Sequence, residues 1–371
     1  MDTNQIYELV NTIAEQTLGQ STIKATDTST LVALGTQVLN STGNAENFMN
    51  TLVQRIGRTI ISYRKYTNSL KGIVYNDIEW GAVVQKIKVQ MPKMVADDAY
   101  DLQDGVSIDM YKVQKPKANQ KFFVNRTPYS TYISIQEFQL KEAFTNASAM
   151  GSFISAIFGE VQNSLELSIE NLGRLTIANF IALTGTAQRV NLVTEYNAAT
   201  GEVITADKAL YDNSFLRFAI GRMNRMKKKM TAMSTLYNKE GETRHTPLAD
   251  QRFAILDDFQ TACETQVQYA AFNAEYVKLE SNIMVPYWQS VDEPTSINLE
   301  VSDGAGGSSA VEMKNIVGFL FDREALGTYR KEEAVLTTPM NARGRYTNTF
   351  WHEKQMWFND LSENGIVFTL N

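Results

Sequence analysis

The feature that most constrains the fold of this chain is a long helical pattern over residues 146–184. The segment contains no proline, and its apolar residues recur at steps of three and four, which places them on one face of a helix. The predicted apolar face carries Met150, Ile154, Ile157, Val161, Leu165, Ile169 and Leu172. The predicted polar face carries Ser155, Gln162, Asn163, Glu166, Glu170 and Arg174. With Asn146 or Ser148 as N-cap, we predict one spine helix that spans roughly 57 Å at 1.5 Å per residue.

Composition excludes several classes of protein. The chain has 371 residues, of which 43% are hydrophobic, and a formal net charge of −6, so the whole chain is not a polycation that grips nucleic acid. A single cysteine, Cys263, excludes an intramolecular disulfide framework and suits a reducing compartment. The first 20 residues hold no basic residue, and no run of 18 apolar residues occurs, so we expect neither a targeting peptide nor a membrane span. We therefore expect a protein that is soluble and cytoplasmic when it is made.

The N-terminal region changes character twice. Residues 1–19 have the apolar spacing of an amphipathic helix. Residues 20–50 are rich in Ser and Thr and poor in aromatic residues, so they can bury little apolar area alone. Two interpretations stay open: a packed segment of a larger fold, or an arm that docks on a neighbour. Residues 48–66 are predicted to form a second helix.

A two-stranded ribbon with charged features is predicted over residues 83–125. Residues 83–91 and 106–113 alternate between apolar and polar side chains, as half-buried strands do. The acidic tip between them carries Asp97, Asp98, Asp101 and Asp104. The basic stems carry Lys86, Lys88, Lys112 and Lys115. An isolated ribbon is only marginally stable in water, so it needs a partner surface, of the same chain or of another copy. We predict that the acidic tip and the basic stems form a contact between subunits.

The remaining pattern mixes strands and helices. We predict a third strand at 131–138, turns and short strands at 191–207, a helix at 213–230, and a strand followed by a helix at 249–268. Further strands are predicted at 283–291, 296–301, 315–321, 345–358 and 365–370, with a flexible turn at 303–309.

Residues suited to catalysis are sparse. His245 and His352 lie far apart in the sequence, and neither has a Cys or His at metal-ligand spacing. A Cys263–His245 nucleophile pair has no local support, and a buried structural cysteine is the ordinary interpretation. The acidic tip fails as a calcium loop, because with Gly105 as the sixth position the twelfth would be Tyr111 rather than Glu. No phosphate-binding glycine loop occurs. We therefore predict no cofactor, no metal and no enzymatic activity.

One concentrated basic patch stands out in the predicted helix at 213–230. It comprises Arg217, Arg222, Arg225, Lys227, Lys228 and Lys229. Arg222, Arg225 and Lys229 fall on one helical face. The candidates for weak contact with phosphate groups of DNA are Arg222, Arg225, Lys227, Lys228 and Lys229. A solvated helix face is the favoured alternative. The aromatic residues between 346 and 358 are expected to pack in a sheet rather than to stack on bases.

The order of these elements resembles that of a known family. An N-terminal arm, a long ribbon, a spine helix, a mixed region and paired closing strands follow one another, as in the major capsid proteins of tailed bacteriophages with the Hong Kong 97-like fold. The segment NIVGFLFDREAL at 315–326 is similar to the sequence before the last strands of such proteins, and 346–358 with 365–370 resembles their closing strands.

The resemblance implies an α+β fold with peripheral and axial domains. The expected divisions are an N-terminal arm (1–50), the first peripheral part (51–82), the ribbon or E-loop (83–125), the peripheral domain with the spine (126–190), the axial domain (191–313) and the closing peripheral strands (314–371). It implies a structural virion protein, similar to that of a small short-tailed phage, that is assembled in the host cytoplasm.

The partners implied by the resemblance are further copies of the chain, in hexamers and pentamers of an icosahedral shell. A separate scaffolding protein, a portal protein and weakly bound double-stranded DNA are also implied, and no membrane. Three alternatives stay open: an encapsulin-like compartment shell, another virion component such as a portal or tail protein, and a soluble enzyme with a dispersed site.

Overall fold

The computed structural model describes residues 3–19, 23–56, 69–75, 84–92, 94, 100–101, 103–111, 113, 115–124, 126–268, 283–302 and 308–371. Within these ranges the helices are α1 (Thr3–Leu18), α2 (Thr28–Val38), α3 (Thr42–Ile56), α4 (Glu137–Ala143), α5 (Ala147–Leu183), α6 (Leu192–Thr200), α7 (Ala206–Ala209), α8 (Asn213–Lys229) and α9 (Asp257–Ala262). The strands are β1 (Val74–Tyr75), β2 (Val84–Val89), β3 (Ala118–Phe123), β4 (Arg126–Gln136), β5 (Arg189–Asn191), β6 (Gln251–Leu256), β7 (Ile283–Val285), β8 (Ile297–Ser302), β9 (Ser308–Met313), β10 (Ile316–Asp322), β11 (Leu326–Thr337), β12 (Tyr346–Asn359) and β13 (Gly365–Thr369).

The predicted spine is confirmed as the single helix α5, which has 37 residues. The side chain of Asn146 caps its start and accepts a hydrogen bond from the backbone nitrogen of Ala149 at 2.7 Å. The N-terminal half of α5 contributes Met150, Ile154, Phe158 and Val161 to one hydrophobic core. The C-terminal half contributes Ile177, Phe180 and Ile181 to a second core. One helix therefore supports both cores.

The first core contains the three N-terminal helices. Leu31 and Leu34 of α2 and Phe48 of α3 are fully buried against α1, α4 and the start of α5. Asp27 caps α2 and accepts a hydrogen bond from the backbone nitrogen of Thr30 at 2.8 Å. Of the two interpretations of residues 20–50, the structure therefore shows the packed segment over its described part. The second helix begins earlier than predicted, at Thr42, and residues 57–68 lie outside the described part.

The second core lies on a five-stranded sheet with the order β5-β13-β10-β6-β7. Every residue of β10 and β13 is buried, as their continuous apolar runs predict. The ring of Phe180, from α5, lies 5.4 Å from that of Phe319 on the central strand. Helices α6 and α8 add further apolar side chains to this core. The predictions for β6, α8, α9 and the closing strand are confirmed.

A four-stranded sheet with the order β1-β11-β12-β4 connects the spine to the ribbon side of the subunit. Trp351 of β12 lies edge-on against Phe158 of α5, with ring centroids 6.1 Å apart. The aromatic residues of β12 thus pack on neighbouring elements, as predicted. Strand β11 was missed, because its stretch of charged residues around Arg330 lacks a period of two.

Three local predictions were wrong. Residues 106–111 and 113 do not form the second ribbon strand, which is instead β3, Ala118–Phe123. Residues 192–200 form α6 rather than turns and strands, because Asn191 caps the helix start and Gly201, at φ 77°, ends it. The flexible turn expected at 303–309 ends earlier than predicted, because its last two residues begin strand β9, Ser308–Met313.

The predicted polar face of the spine is partly buried, at Glu170 and Arg174. Both side chains are buried and form an ion pair one helical turn apart. The guanidinium of Arg174 also donates to the carbonyl oxygen of Tyr287 at 3.0 Å and lies 4.0 Å from the centre of that ring. Ser69 donates a hydrogen bond to Glu170 at 3.0 Å. Pairing allows these charges to be buried between the two cores.

Replacing Glu170 by Gln is expected to lower the free energy of unfolding by about 3 kcal/mol, because it leaves the buried Arg174 charge without its carboxylate. Glu15→Gln is the matched control, since Glu15 forms an exposed pair with Lys24 and its loss should cost less than about 1 kcal/mol. Urea unfolding of the unassembled subunit measures both. Equal losses in the two variants would contradict the argument.

Candidate assembly interface

The ribbon consists of β2 and β3, which pair antiparallel from Val84 opposite Phe123 to Val89 opposite Ala118. The predicted alternation along β2 is confirmed. Lys86 and Lys88 lie on one face, and Lys121 of β3 is opposite Lys86 on that same face. Ile87 and Val89 lie on the other face. The ribbon therefore has a lysine face and an apolar face.

The lysine face contacts the same subunit, at the turn between β12 and β13. Lys86 and Lys88 reach a carboxylate oxygen of Asp360 at 3.1 and 2.6 Å, and Lys121 reaches its other oxygen at 3.0 Å. Lys86 and Lys88 also contact Glu363, at 2.7 and 2.6 Å. We call these five residues the lysine clamp. The Asp360 side chain is fully buried.

The clamp changes the protonation behaviour of its carboxyl groups. Burial alone would raise the pKa of Asp360, but hydrogen bonds from Lys88 and Ser362 and the charges of the lysines outweigh burial and hold the pKa well below its ordinary value. The pKa of Glu363 is lowered for the same reason, with Lys86 and Lys88 outweighing burial. Both groups are therefore carboxylates at neutral pH.

Further acidic residues surround the clamp. Glu324 lies 3.1 Å from Lys86, and Glu240 pairs with Lys121. Asn119, opposite Lys88 on β3, donates a hydrogen bond to Glu242 at 3.2 Å. None of these acidic partners is part of the sequence prediction. Each lies more than 100 positions from the ribbon in sequence. The segment that carries Glu240 is joined to the turn by a hydrogen bond from the backbone nitrogen of Lys239 to the carbonyl oxygen of Leu361 at 3.1 Å.

The apolar face of the ribbon is exposed. Ile87 and Val89 are 63% and 60% exposed, and Phe122 of β3 is 57% exposed. Met91, beyond the end of β2, is exposed to a similar degree. Large apolar side chains clustered on one projecting element are typical of a surface that another protein covers.

The segment between the ribbon strands is exposed where the structure describes it. Asp101, Asp104 and Lys115 point to solvent, and Gly105 adopts φ 82°, as a tight turn requires. Val106 and Met110 in this segment are also exposed. The predicted contact residues Asp97, Asp98 and Lys112 lie outside the described part of the chain.

The predicted basic patch lies on α8. Arg222 forms a two-pronged ion pair with Glu195 of α6, with one N–O distance of 2.8 Å, and the pair raises the pKa of the arginine. Arg225, Lys228 and Lys229 are exposed, and Lys227 is half-buried. The structure thus keeps most of the patch on the surface but neutralises Arg222 locally.

Cys263 and His245, the pair considered for catalysis, have different environments. Cys263 is buried, and burial together with Glu264 raises its pKa to about 12, whereas His245 is exposed. In the described ranges no group of three or more His, Cys, Asp or Glu side chains is arranged to hold a metal ion. The same ranges contain no helix with the length and hydropathy needed to cross a bilayer.

Comparison with known proteins gives a consistent result. The sequence model of the Phi29-like phage major capsid protein family matches residues 10–369. The major capsid protein of Bacillus phage PZA is 21% identical over 366 residues, which cover 98% of this chain and 72% of the phage protein. The major capsid protein of Bacillus phage B103 is 21% identical over 369 residues, with the same coverage of 98% and 72%.

Solved structures share the fold. A chain from the capsid of Staphylococcus phage Andhra superimposes with a TM-score of 0.57 at 10% identity, covering 84% of this chain and 87% of that chain. A chain from native bacteriophage P68 gives a TM-score of 0.54 at 9% identity, with coverage of 84% and 87%. The α+β capsid fold predicted from the sequence is confirmed.

Acid is expected to weaken the lysine clamp. The folded pKa values of Asp360 and Glu363 lie below their ordinary values, so the folded state binds fewer protons than the unfolded state once the pH approaches about 4. The stability that these carboxylates contribute is complete above that pH and is lost as the pH falls towards the folded pKa values.

Comparison of the unchanged protein with Asp360→Asn isolates the loss of stability at the clamp. Both proteins contain the buried acids Glu353 and Asp322, whose raised pKa values change stability with pH in the opposite direction and therefore cancel in the comparison. Urea unfolding near neutral pH should show a clear difference in the free energy of unfolding, which should shrink near pH 3, below the ordinary pKa of about 4. Glu312→Gln, in an exposed pair with Lys314, is the control. A difference that does not change with pH would contradict the argument.

Proposed function

Because this chain belongs to the family of Phi29-like phage major capsid proteins, we propose that its ribbon carries the contact through which copies assemble into a closed shell. The chain is a structural component of the virion. The finer proposal is that hexamers and pentamers form an icosahedral shell around double-stranded DNA, in the head of a small short-tailed phage. Assembly takes place in the host cytoplasm, with a separate scaffolding protein and a portal protein.

The exposed apolar face of the ribbon is the observation that supports this proposal most strongly. Ile87, Val89 and Phe122 are more than half exposed in the single subunit. Covering one such side chain contributes about 1.5–3 kcal/mol. A shell repeats each contact many times, so modest contacts between neighbours suffice to hold it together. Heterologous contacts that close by rotation form rings, which can tile a shell.

Charge is proposed to set the register of the ribbon on its neighbour. The predicted acidic contact residues are Asp97, Asp98, Asp101 and Asp104, and the predicted basic ones include Lys112 and Lys115. Asp101, Asp104 and Lys115 are exposed and available for such a contact. Lys86 and Lys88, also predicted to act between subunits, are engaged within their own subunit. We propose that these two act on the neighbour indirectly, by holding the ribbon.

Contact with packaged DNA is proposed to be weak and non-specific. Arg225, Lys228 and Lys229 on α8 are exposed, and each phosphate contact adds salt-dependent affinity. Arg222 and Lys227 contribute less, since the first is paired with Glu195 and the second is half-buried. The negative net charge of the chain, −6, keeps the total affinity low.

Electron microscopy of the protein, expressed with and without the proteins encoded beside it, tests the proposed assembly. Closed shells of uniform size support it. Rings of fixed copy number would instead identify a portal or tail component, and shells that enclose a cargo enzyme without DNA would identify a compartment shell. A subunit that stays monomeric in the presence of all the virion proteins would refute the proposal.

The double variant Ile87→Ser/Val89→Ser is expected to reduce the yield of closed shells by at least about tenfold, because it removes apolar area from the proposed contact. Both side chains are exposed in the subunit, so thermal unfolding of the unassembled protein should change little. Val203→Ser/Val291→Ser is the matched control, because both valines are exposed outside the ribbon. Normal shells from the ribbon variant would refute the contact.

A further inference from the structure

We infer that Asp360 and Glu363 are positioning residues that hold the ribbon at one angle on its own subunit, with its apolar face directed away, before a neighbour binds. The lysine clamp provides this restraint. The holding of the ribbon is a property of the single chain. Its consequence for assembly rests on the proposed function of the ribbon.

The clamp restrains the ribbon from both strands. Lys86 and Lys88 come from β2, and Lys121 comes from β3. All three ammonium groups converge on the one carboxylate of Asp360, within 2.6–3.1 Å. Rotation of the ribbon about its own axis would break these pairs together. A ribbon attached through one strand alone would keep that freedom.

Burial makes these ion pairs stronger than ordinary surface pairs. The side chains of Lys86 and Lys88 are only 17% and 10% exposed, and that of Asp360 is fully buried. Charges in such a position are little screened by salt, and a partner left alone there pays the full cost of its lost hydration. Separation of the lysine face from the subunit is therefore unfavourable.

The receiving turn is itself held rigidly. Asp360 accepts hydrogen bonds from the backbone nitrogen and the hydroxyl of Ser362, at 3.2 and 2.7 Å. Its backbone nitrogen donates to the carbonyl oxygen of Ala325 at 2.7 Å. The fully buried Asn364 donates to Thr246 at 3.1 Å. These contacts hold the carboxylates in place independently of the ribbon lysines. The orientation of the turn therefore determines the orientation of the ribbon.

Apolar contact between the ribbon and its subunit is limited, so it cannot replace the clamp. Phe123, on the lysine face, lies 5.3 Å from the ring of Phe358 on β12. The larger apolar side chains of β2 lie on the opposite face and are exposed. This ring contact lies near one end of the described ribbon and acts as a pivot, and the ion pairs farther along β2 and β3 fix the angle.

Fixing the ribbon matters for assembly because a flexible ribbon must be ordered when it binds. Restraining a binding element in its bound orientation raises affinity by reducing that cost. Loss of the clamp is therefore expected to reduce shell yield while the apolar face itself stays intact. This combination separates a positioning role from a role in direct contact.

Pulsed electron paramagnetic resonance on the unassembled subunit tests the inference. Nitroxide labels are placed at Gln90→Cys, at the end of the ribbon, and at Lys228→Cys, on α8; both positions are exposed. The native Cys263 is buried, with its pKa raised to about 12, and stays unlabelled. The clamp should give one narrow distribution of distances between the labels.

Lys88→Met/Lys121→Met is the principal variant, because it removes two ammonium groups from the ribbon and leaves the buried turn unchanged. It should broaden the distance distribution, and Asp360→Asn should do the same. Lys88→Arg/Lys121→Arg, which keeps both charges, should restore a narrow distribution. Lys314→Met is the control, since Lys314 forms an exposed ion pair with Glu312 away from the ribbon. Circular dichroism confirms that each variant is folded.

A narrow, unchanged distribution in Lys88→Met/Lys121→Met would overturn the inference, whatever the shells do. Broadening together with a fall in shell yield of at least about tenfold supports both the clamp and the proposed ribbon contact. Broadening with a normal yield of shells would support the clamp and refute its effect on assembly, whereas a normal yield from Ile87→Ser/Val89→Ser would refute the proposed contact itself. The two failures are therefore distinguishable.

Discussion

The structure depends on one rigid helix that is buried in two separate cores. The first part of α5 packs with the N-terminal helices, and its last part packs on the five-stranded sheet. The middle of the helix is polar. Glu170 pairs with Arg174 there, and Arg330 of β11 joins Glu166 of α5, at 3.2 Å, to Glu353 of β12, at 2.9 Å. These matched charges let the helix run unbroken from one core to the other.

The ribbon shows how a period of two creates two surfaces with different partners. Along β2, the lysine side chains reach the buried carboxylates of their own subunit, and the alternate apolar side chains are left in solvent. Hydrogen-bonded ion pairs have a defined geometry and form even where water reaches one side of them. The apolar face, in contrast, contributes to stability only when another surface covers it. The ribbon is thus attached to its subunit by one face and leaves the apolar face exposed to solvent.

This arrangement agrees with the structural role of a phage capsid protein. The carboxylates with lowered pKa values next to the ribbon, Asp360 and Glu363, are engaged by lysines and hold a structural element. The only cysteine is buried. The family match over residues 10–369 agrees with a structural role in the capsid.

Helices and strands with a clear pattern of their own could be predicted from the sequence alone. The spacing and cap of α5, the apolar run of β10 and the alternation of β2 were sufficient, because a helix or strand of that length expresses its own period. Which charged side chains are buried, in contrast, depends on how these elements pack and is seen only in the folded chain. In the sequence, Glu170 and Arg174 belong only to a predicted polar face. In the structure Arg174 donates a hydrogen bond to the carbonyl oxygen of Tyr287, and Glu170 accepts one from Ser69. Asp360 and Glu363 meet the ribbon lysines across more than 200 positions of sequence, and no local pattern specifies a pairing at that range, because it is created by strand register and packing.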